Sequence, residues 1–193
     1  MASGALADVI SQEMAAIVGL STTAVEDTQD VMYEGGCMCK AVRFQYHYSE
    51  GSKPFFSVFC HCETCRKLGS CCMQQVLGLP KASFSITKGE EVLKEYNPLD
   101  NKAHMYRKFC GECGSAICQG PRDAPFVGTF PSTYDFAGKF PEGNRLPSEF
   151  RPTCHINMEN SIVGDVVRND MSPKYKDFPA RMGGSGSGWE WKE

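Results

Sequence analysis

The sequence predicts a mainly β fold built of short antiparallel strands, with a short helix near the N-terminus. Between residues 42 and 48, the side chains of Val42, Phe44, Tyr46 and Tyr48 alternate with more polar neighbours. This period of two is typical of a strand with one buried face. Further short β-rich runs are separated by glycine and proline, and no long segment has helical periodicity. Many short strands without long helices indicate a β-rich domain.

The other predicted strands follow one another along the chain at short intervals. They cover residues 54–59, 71–79, 82–87, 92–96, 106–109, 116–119, 126–130 and 153–158. Pro80 and the pair Lys88-Gly89 separate neighbouring runs. Residues 131–152 contain prolines and glycines between aromatic side chains, so we expect a long surface loop there.

Two segments flank the predicted central domain of residues 31–182. Residues 1–30 form an extension that we expect to contain a short amphipathic helix, because apolar side chains recur at near-helical spacing. Those side chains are Leu6, Val9, Ile10, Met14 and Ile17. Residues 183–193 begin with a Gly/Ser run, which has the composition of a flexible linker. The sequence leaves open whether Trp189 and Trp191 anchor this tail.

The composition argues against nucleic-acid and membrane partners. The formal net charge is −3 and the basic residues form no stripe, so an electrostatic footprint for nucleic acid is lacking. No segment approaches the roughly 20 apolar residues of a membrane span, and residues 1–20 lack the basic start of a secretory signal. We therefore expect a cytoplasmic protein that acts on a small-molecule substrate.

Cysteine is the most informative residue type, with 11 copies in 193 residues. Several lie two or three residues apart, a spacing that favours chelation of a metal ion over disulfide pairing. A secreted disulfide scaffold is the alternative. Seven of them form three short clusters: Cys37 with Cys39, then Cys60 with Cys62 and Cys65, then Cys110 with Cys113.

The two outer pairs together offer four thiolates, which is a closed tetrahedral shell. Glycines adjoin both pairs, at Gly35-Gly36 and at Gly114, and allow the tight turns in which backbone amides point at sulfur. Such a site selects zinc, with an iron–sulfur cluster as the competitor. We expect Cys37, Cys39, Cys110 and Cys113 to hold a structural ion whose loss unfolds the region.

The central trio of Cys60, Cys62 and Cys65 leaves a fourth position open, as in a catalytic zinc site. Three thiolates over-neutralise the ion and make it a weak Lewis acid, so binding of an incoming thiol is favoured over activation of water. The alternative is a second closed site, in which His61, His155, another cysteine or a carboxylate supplies the fourth ligand.

Three further residues are candidates for the chemistry. Arg66 and Lys67 follow the trio directly and are predicted to bind an anionic group of the substrate. His155 follows Pro152 and is the acid/base candidate. The remaining cysteines are expected to be buried as small apolar side chains. They are Cys71, Cys72, Cys118 and Cys154.

These motifs resemble the glutathione-dependent formaldehyde-activating enzymes, a family whose wider group includes centromere-protein-V-like proteins. The matching motifs are Gly35-Gly36-Cys37-x-Cys39, Phe59-Cys60-His61-Cys62-x-x-Cys65-Arg66-Lys67 and Phe109-Cys110-x-x-Cys113-Gly114-Ser115. The resemblance implies a zinc-stapled β-tent fold and two Zn²⁺ ions, one structural and one catalytic, divided among the cysteines as above. It also implies glutathione as cosubstrate and a carbon–sulfur lyase activity.

Three functions follow as hypotheses. The first is a zinc-dependent carbon–sulfur lyase-type enzyme that acts on a glutathione-like adduct of a small electrophile. The second is a related zinc enzyme that catalyses elimination, isomerisation or cyclisation of a larger aromatic substrate held by residues 126–150. The third is a zinc-stapled protein-binding module without catalysis, since one fold can serve several functions.

Overall fold

The chain is mainly β in a computed structural model that describes residues 30–97, 105–136 and 146–191. Within these ranges it forms ten strands and two α-helices. The strands are β1 Val31–Gly36, β2 Arg43–Tyr48, β3 Phe56–Cys60, β4 Gln74–Pro80, β5 Phe84–Lys88, β6 Leu93–Tyr96, β7 Met105–Cys110, β8 Ala116–Pro121, β9 Phe126–Thr129 and β10 Cys154–Ile156. The helices are α1 Glu63–Gly69 and α2 Gly164–Val167. The predicted N-terminal helix lies outside the described residues.

The strands form two sheets. One has three strands in the order β1-β2-β5, and the other has seven in the order β10-β3-β4-β9-β8-β7-β6. Neighbouring strands are antiparallel, as predicted, except that β10 runs parallel to β3. A long connection separates β9 from β10, and a strand that runs parallel to its sheet neighbour needs such a connection because the chain must cross back over the sheet.

Two hydrophobic clusters lie on opposite faces of the seven-stranded sheet. Leu77 and Leu79 of β4 belong to the cluster that also contains Phe44 of β2, which fills the space between the two sheets. Val76 of β4 belongs to the second cluster, together with Cys60 and other residues around α1. Successive residues of a strand project to opposite faces, so the outer face of this sheet carries α1 and the three-cysteine motif.

The prediction of a surface loop at residues 131–152 is wrong for its described aromatic residues. Tyr134 and Phe150 are buried, at 7% and 0% exposure, and their ring centroids lie 5.0 Å apart. Phe136 packs against the same cluster. Glycine and proline break regular structure, but they do not prevent a segment from burying large aromatic side chains between two sheets.

The described part of the Gly/Ser tail contacts the domain, and its flexibility stays a prediction. The amide and hydroxyl of Ser185 donate to the carboxylate of Asp177, and the amide of Trp189 donates to the carbonyl of Lys174 at 2.9 Å. Arg168 lies over the ring of Trp191 at 5.2 Å. These contacts favour the anchored alternative. None of the helices in the described ranges is long and apolar enough to cross a membrane.

Candidate metal centres and cavity

The two outer cysteine pairs meet between the sheets. Cys37 and Cys39 lie in the turn from β1 to β2, while Cys110 ends β7 and Cys113 lies in the turn to β8. All four Sγ atoms lie within 4.8 Å of one another. The four-cysteine cluster therefore joins the three-stranded sheet to the seven-stranded sheet.

The geometry of the four-cysteine cluster fits one tetrahedral ion. The Sγ atoms of Cys37 and Cys39 are 3.5 Å apart, and those of Cys39 and Cys110 are 3.8 Å apart. A Zn–S distance of about 2.3 Å places tetrahedral sulfurs about 3.8 Å apart. An iron–sulfur cluster with several irons would spread the sulfurs over different metal atoms. The all-thiolate donor set thus fits a single zinc ion.

Local backbone geometry supports the four-cysteine cluster. The amide of Val42 donates to Cys37 Sγ at 3.2 Å, and the hydroxyl of Ser115 lies 3.2 Å from Cys113 Sγ. Gly114 has a φ of 75°, a left-handed conformation that turns the chain back after Cys113. Gly114 therefore has the turn-forming role that the sequence predicted, and the contact of Ser115 with sulfur is an additional feature that was not predicted.

The three-cysteine cluster is formed by a strand end and a helix start. Cys60 ends β3, Cys62 is the N-cap of α1, and Cys65 lies in its first turn. The amide of Cys65 donates to Cys62 Sγ at 3.3 Å, which is a capping bond. No helix was predicted after Cys60, because cysteine is not among the side chains that usually mark an N-cap.

Two amide side chains from other elements point at this cluster. Asn157 Nδ2 lies 3.4 Å from Cys60 Sγ, and Gln119 Nε2 lies 3.9 Å from Cys65 Sγ. Both amides can donate to sulfur and so stabilise the negative charge that a thiolate carries when it binds a metal ion.

The three-cysteine cluster has no fourth side-chain ligand within the described ranges. The three Sγ atoms lie within 4.8 Å of one another, and no histidine, cysteine or carboxylate of residues 30–97, 105–136 and 146–191 joins them. Three thiolates at this spacing fit zinc with one coordination position left over. The arrangement favours an open site over the closed alternative.

His155 lies in a buried chain of side chains. Its Nδ1 is 2.9 Å from His61 Nε2, and its Nε2 is 3.4 Å from a carboxylate oxygen of Asp170. Both rings are fully buried, and burial lowers the pKa of His155 and lowers that of His61 to about 4. The acid/base role of His155 stays a prediction.

A cavity of about 250 Å³ opens beside the three-cysteine cluster. Cys65 and Leu68 of α1 form one side, and Arg107 and Gln119 of the seven-stranded sheet form another. Phe130 adds an apolar wall. The cavity gives a small molecule room next to a thiolate of the cluster.

The sequence profile of the glutathione-dependent formaldehyde-activating enzyme family matches residues 32–160. The chain belongs to this family. A crystal structure of a Rhodobacter sphaeroides protein from a structural genomics programme is also similar, with 22% identity over 52% of this chain and 85% of that chain. Its TM-score of 0.42 is too low to support an argument about fold or function.

Arg66 and Lys67, which were predicted to bind an anionic group of the substrate, lie on α1 away from the cavity. Arg66 Nε donates to the carbonyl of His61 at 3.2 Å, and Lys67 pairs with Glu63 at 2.6 Å on the helix surface. Neither lines the cavity. The basic residues that line it are Arg107 and Lys108, and neither was predicted to bind substrate.

None of the eleven cysteines forms a disulfide bond. Cys118 and Cys154 are buried, at 4% and 1% exposure, as predicted for apolar cysteines. The prediction is wrong for Cys72, which is exposed, and Cys71 is only partly buried. These two residues lie in the turn that follows α1, where the sequence predicted the start of a strand.

Proposed function

We propose that the chain is a zinc-dependent carbon–sulfur lyase-type enzyme that joins a thiol such as glutathione to formaldehyde or another small carbonyl compound, and cleaves the adduct in reverse. One observation carries the proposal: the three-cysteine cluster lacks a fourth side-chain ligand in the described residues and adjoins a cavity. Membership of the family supports the choice of thiol and electrophile.

The proposed reaction balances without any further reactant. The thiol sulfur forms a bond to the carbonyl carbon, the carbonyl π electrons move to oxygen, and oxygen takes the proton that sulfur loses. Zinc, when bound by Cys60, Cys62 and Cys65, lowers the pKa of a coordinating thiol and so supplies a thiolate at neutral pH. The carbonyl compound is the electrophile in this scheme, and no oxidant or reductant takes part.

The remaining residues position the reactants. Gln119 and Asn157 donate to two of the cluster sulfurs and fix their orientation. Leu68 and Phe130 give the cavity apolar surface against which the reactants can pack. Holding sulfur and carbon in contact in this way converts a bimolecular encounter into a reaction within one complex.

The other two hypotheses have less support. Tyr134 and Phe150 pack between the sheets and do not line the cavity, so they are not placed to hold a large aromatic substrate there. A zinc ion bound by three thiolates is also poorly suited to polarise an oxygen. A binding module is expected to have a closed zinc site, whereas no fourth side-chain ligand joins Cys60, Cys62 and Cys65 in the described residues.

The proposal is tested by nuclear magnetic resonance exchange measurements on ¹³C-formaldehyde and glutathione. The zinc-loaded protein is expected to accelerate exchange between formaldehyde hydrate and the hydroxymethyl thioether by at least about 100-fold, as proximity and thiolate formation both contribute. Cys62→Ser should abolish the acceleration. Cys72→Ser removes an exposed thiol outside both clusters and is the matched control, which should exchange like the wild type.

Wild-type protein with two bound zinc ions and no acceleration would contradict the proposal. So would a Cys62→Ser variant that retains the full rate.

A further inference from the structure

We propose that Arg107 binds a carboxylate of the thiol substrate, so that the site selects small thiols that carry a carboxylate group. The inference rests on the proposed function, because it assumes that a thiol occupies the cavity beside Cys65. It assigns to Arg107 the anion-binding role that the sequence analysis assigned to Arg66 and Lys67.

The register of the seven-stranded sheet places Arg107 on the same face as the three-cysteine cluster. Arg107 of β7 lies opposite Tyr96 of β6 and opposite Gln119 of β8. Residues opposite each other in neighbouring strands project to the same face. Gln119 reaches Cys65 Sγ, and all four of these residues line the cavity. The guanidinium therefore shares a cavity with a thiolate of the cluster.

Arg107 has hydrogen-bonding capacity that the described part of the chain leaves unused. Its Nε is buried and has no hydrogen-bond partner among the described residues. Arg43 and Arg122, by contrast, pair with the carboxylates of Asp135 and Glu95. A buried donor without a partner is unfavourable, and a guanidinium with an unused donor is a candidate to bind an anion. A guanidinium also presents its donors in a fork that matches a carboxylate.

The charge of the cluster explains why an anionic substrate needs such a residue. Three thiolates bound to one dication leave a net negative charge, which would repel a carboxylate. Arg107 and Cys65 line the same cavity, so the positive charge of the guanidinium lies near the cluster. Arg107 would therefore offset the repulsion and attract the anionic end of the substrate.

The size of the cavity limits the substrate class. Its volume of about 250 Å³ lies below the roughly 300–1,000 Å³ of typical small-molecule sites. It would admit a small thiol or the cysteinyl part of a larger one. The chemistry that fits is a sulfur near Cys65 and a carboxylate a few bonds away on Arg107.

Isothermal titration calorimetry on the zinc-loaded protein tests this inference with two thiols of similar size. One is 3-mercaptopropionate, which carries a carboxylate, and the other is 3-mercapto-1-propanol, which is neutral. The wild type is expected to bind the carboxylate thiol at least about 10-fold more tightly, as a charged hydrogen bond contributes about 1.5–3 kcal/mol.

Substitutions distinguish a direct contact between Arg107 and the carboxylate from a general loss of thiol binding. Arg107→Gln should weaken 3-mercaptopropionate binding by about 10- to 100-fold and leave the neutral thiol within about 2-fold of the wild type. Arg107→Lys should keep part of the preference. Arg122→Gln removes an exposed arginine that does not line the cavity, and should keep all of it. Zinc content is measured for each variant.

Equal wild-type affinity for the two thiols would overturn the inference and leave the proposed function standing. An Arg107→Gln variant that retains its zinc and weakens both thiols alike would also overturn it. If neither thiol binds the wild type, the proposed function fails, and the inference fails with it.

Discussion

At the scale of single residues, Cys62 and Cys113 have the same side chain but different tasks. Cys113 belongs to the four-cysteine cluster that joins the two sheets, whereas Cys62 caps α1 and lies in the three-cysteine cluster on the outer face. Removal of a ligand from a closed structural site costs folding free energy, because metal binding and folding are linked. Removal of a ligand from the three-cysteine cluster leaves the packing between the sheets intact.

We therefore expect Cys113→Ser to lower the free energy of unfolding by about 4 kcal/mol or more, and Cys62→Ser to lower it by less than about 2 kcal/mol. Urea denaturation of the variants, each purified in the presence of zinc, measures both values, with Cys72→Ser as the control for removal of an exposed thiol. Equal losses for Cys62→Ser and Cys113→Ser would show that the two clusters do not divide their tasks in this way.

Site residues that lie close to the cysteines in the sequence were easier to predict than distant ones. The seven clustered cysteines are recognisable from their local spacing. Arg107, Gln119 and Asn157 approach the three-cysteine cluster only through strand pairing, which no local pattern reveals. Arg66 and Lys67 were predicted because they follow Cys65 directly, yet α1 turns them away from the cavity.

At the scale of elements, the turns around the four-cysteine cluster depend on glycine in two different ways. Gly89 and Gly114 both have left-handed φ values, 78° and 75°. A Cβ on Gly89 would lie 2.1 Å from the carbonyl oxygen of Ala41, whereas a Cβ on Gly114 would meet nothing within 4 Å. Conformational strain acts at both positions, and a backbone clash acts only at Gly89.

We expect Gly114→Ala to lower the free energy of unfolding by about 1–2 kcal/mol, which is the cost of a left-handed conformation for a residue with a Cβ. Gly89→Ala should lower it further, because the turn must also move away from Ala41. Urea denaturation compares the two variants, and zinc analysis confirms that each retains its metal. A smaller loss for Gly89→Ala than for Gly114→Ala would contradict the described packing of this turn.

Strands were easier to predict than the helix and the parallel strand. Period-two alternation marks β2 directly, and glycine or proline marks the ends of several other strands. Helix α1 has only seven residues and begins at a cysteine, so neither its period nor its cap was recognisable. The long connection from β9 allows β10 to run parallel to β3. No local sequence pattern sets the direction in which the chain returns to the sheet.

At the scale of the whole molecule, two sheets enclose one core, and sulfur clusters lie on both sides of the larger sheet. The fold class and the division of seven cysteines into four and three follow from the sequence. The burial of Tyr134 and Phe150 does not, because it depends on the gap between the sheets. The cavity likewise forms only where residues of α1, β7 and β8 come together in the folded chain.

The most direct test of the central claim is native mass spectrometry of the intact protein with and without glutathione. We expect two zinc ions per chain and one bound glutathione, and expect Cys62→Ser to lose the glutathione and one zinc. Two zinc ions in the wild type without any bound thiol would contradict an open thiol-accepting site. A single zinc ion in the wild type would contradict the assignment of the three-cysteine cluster as a metal centre.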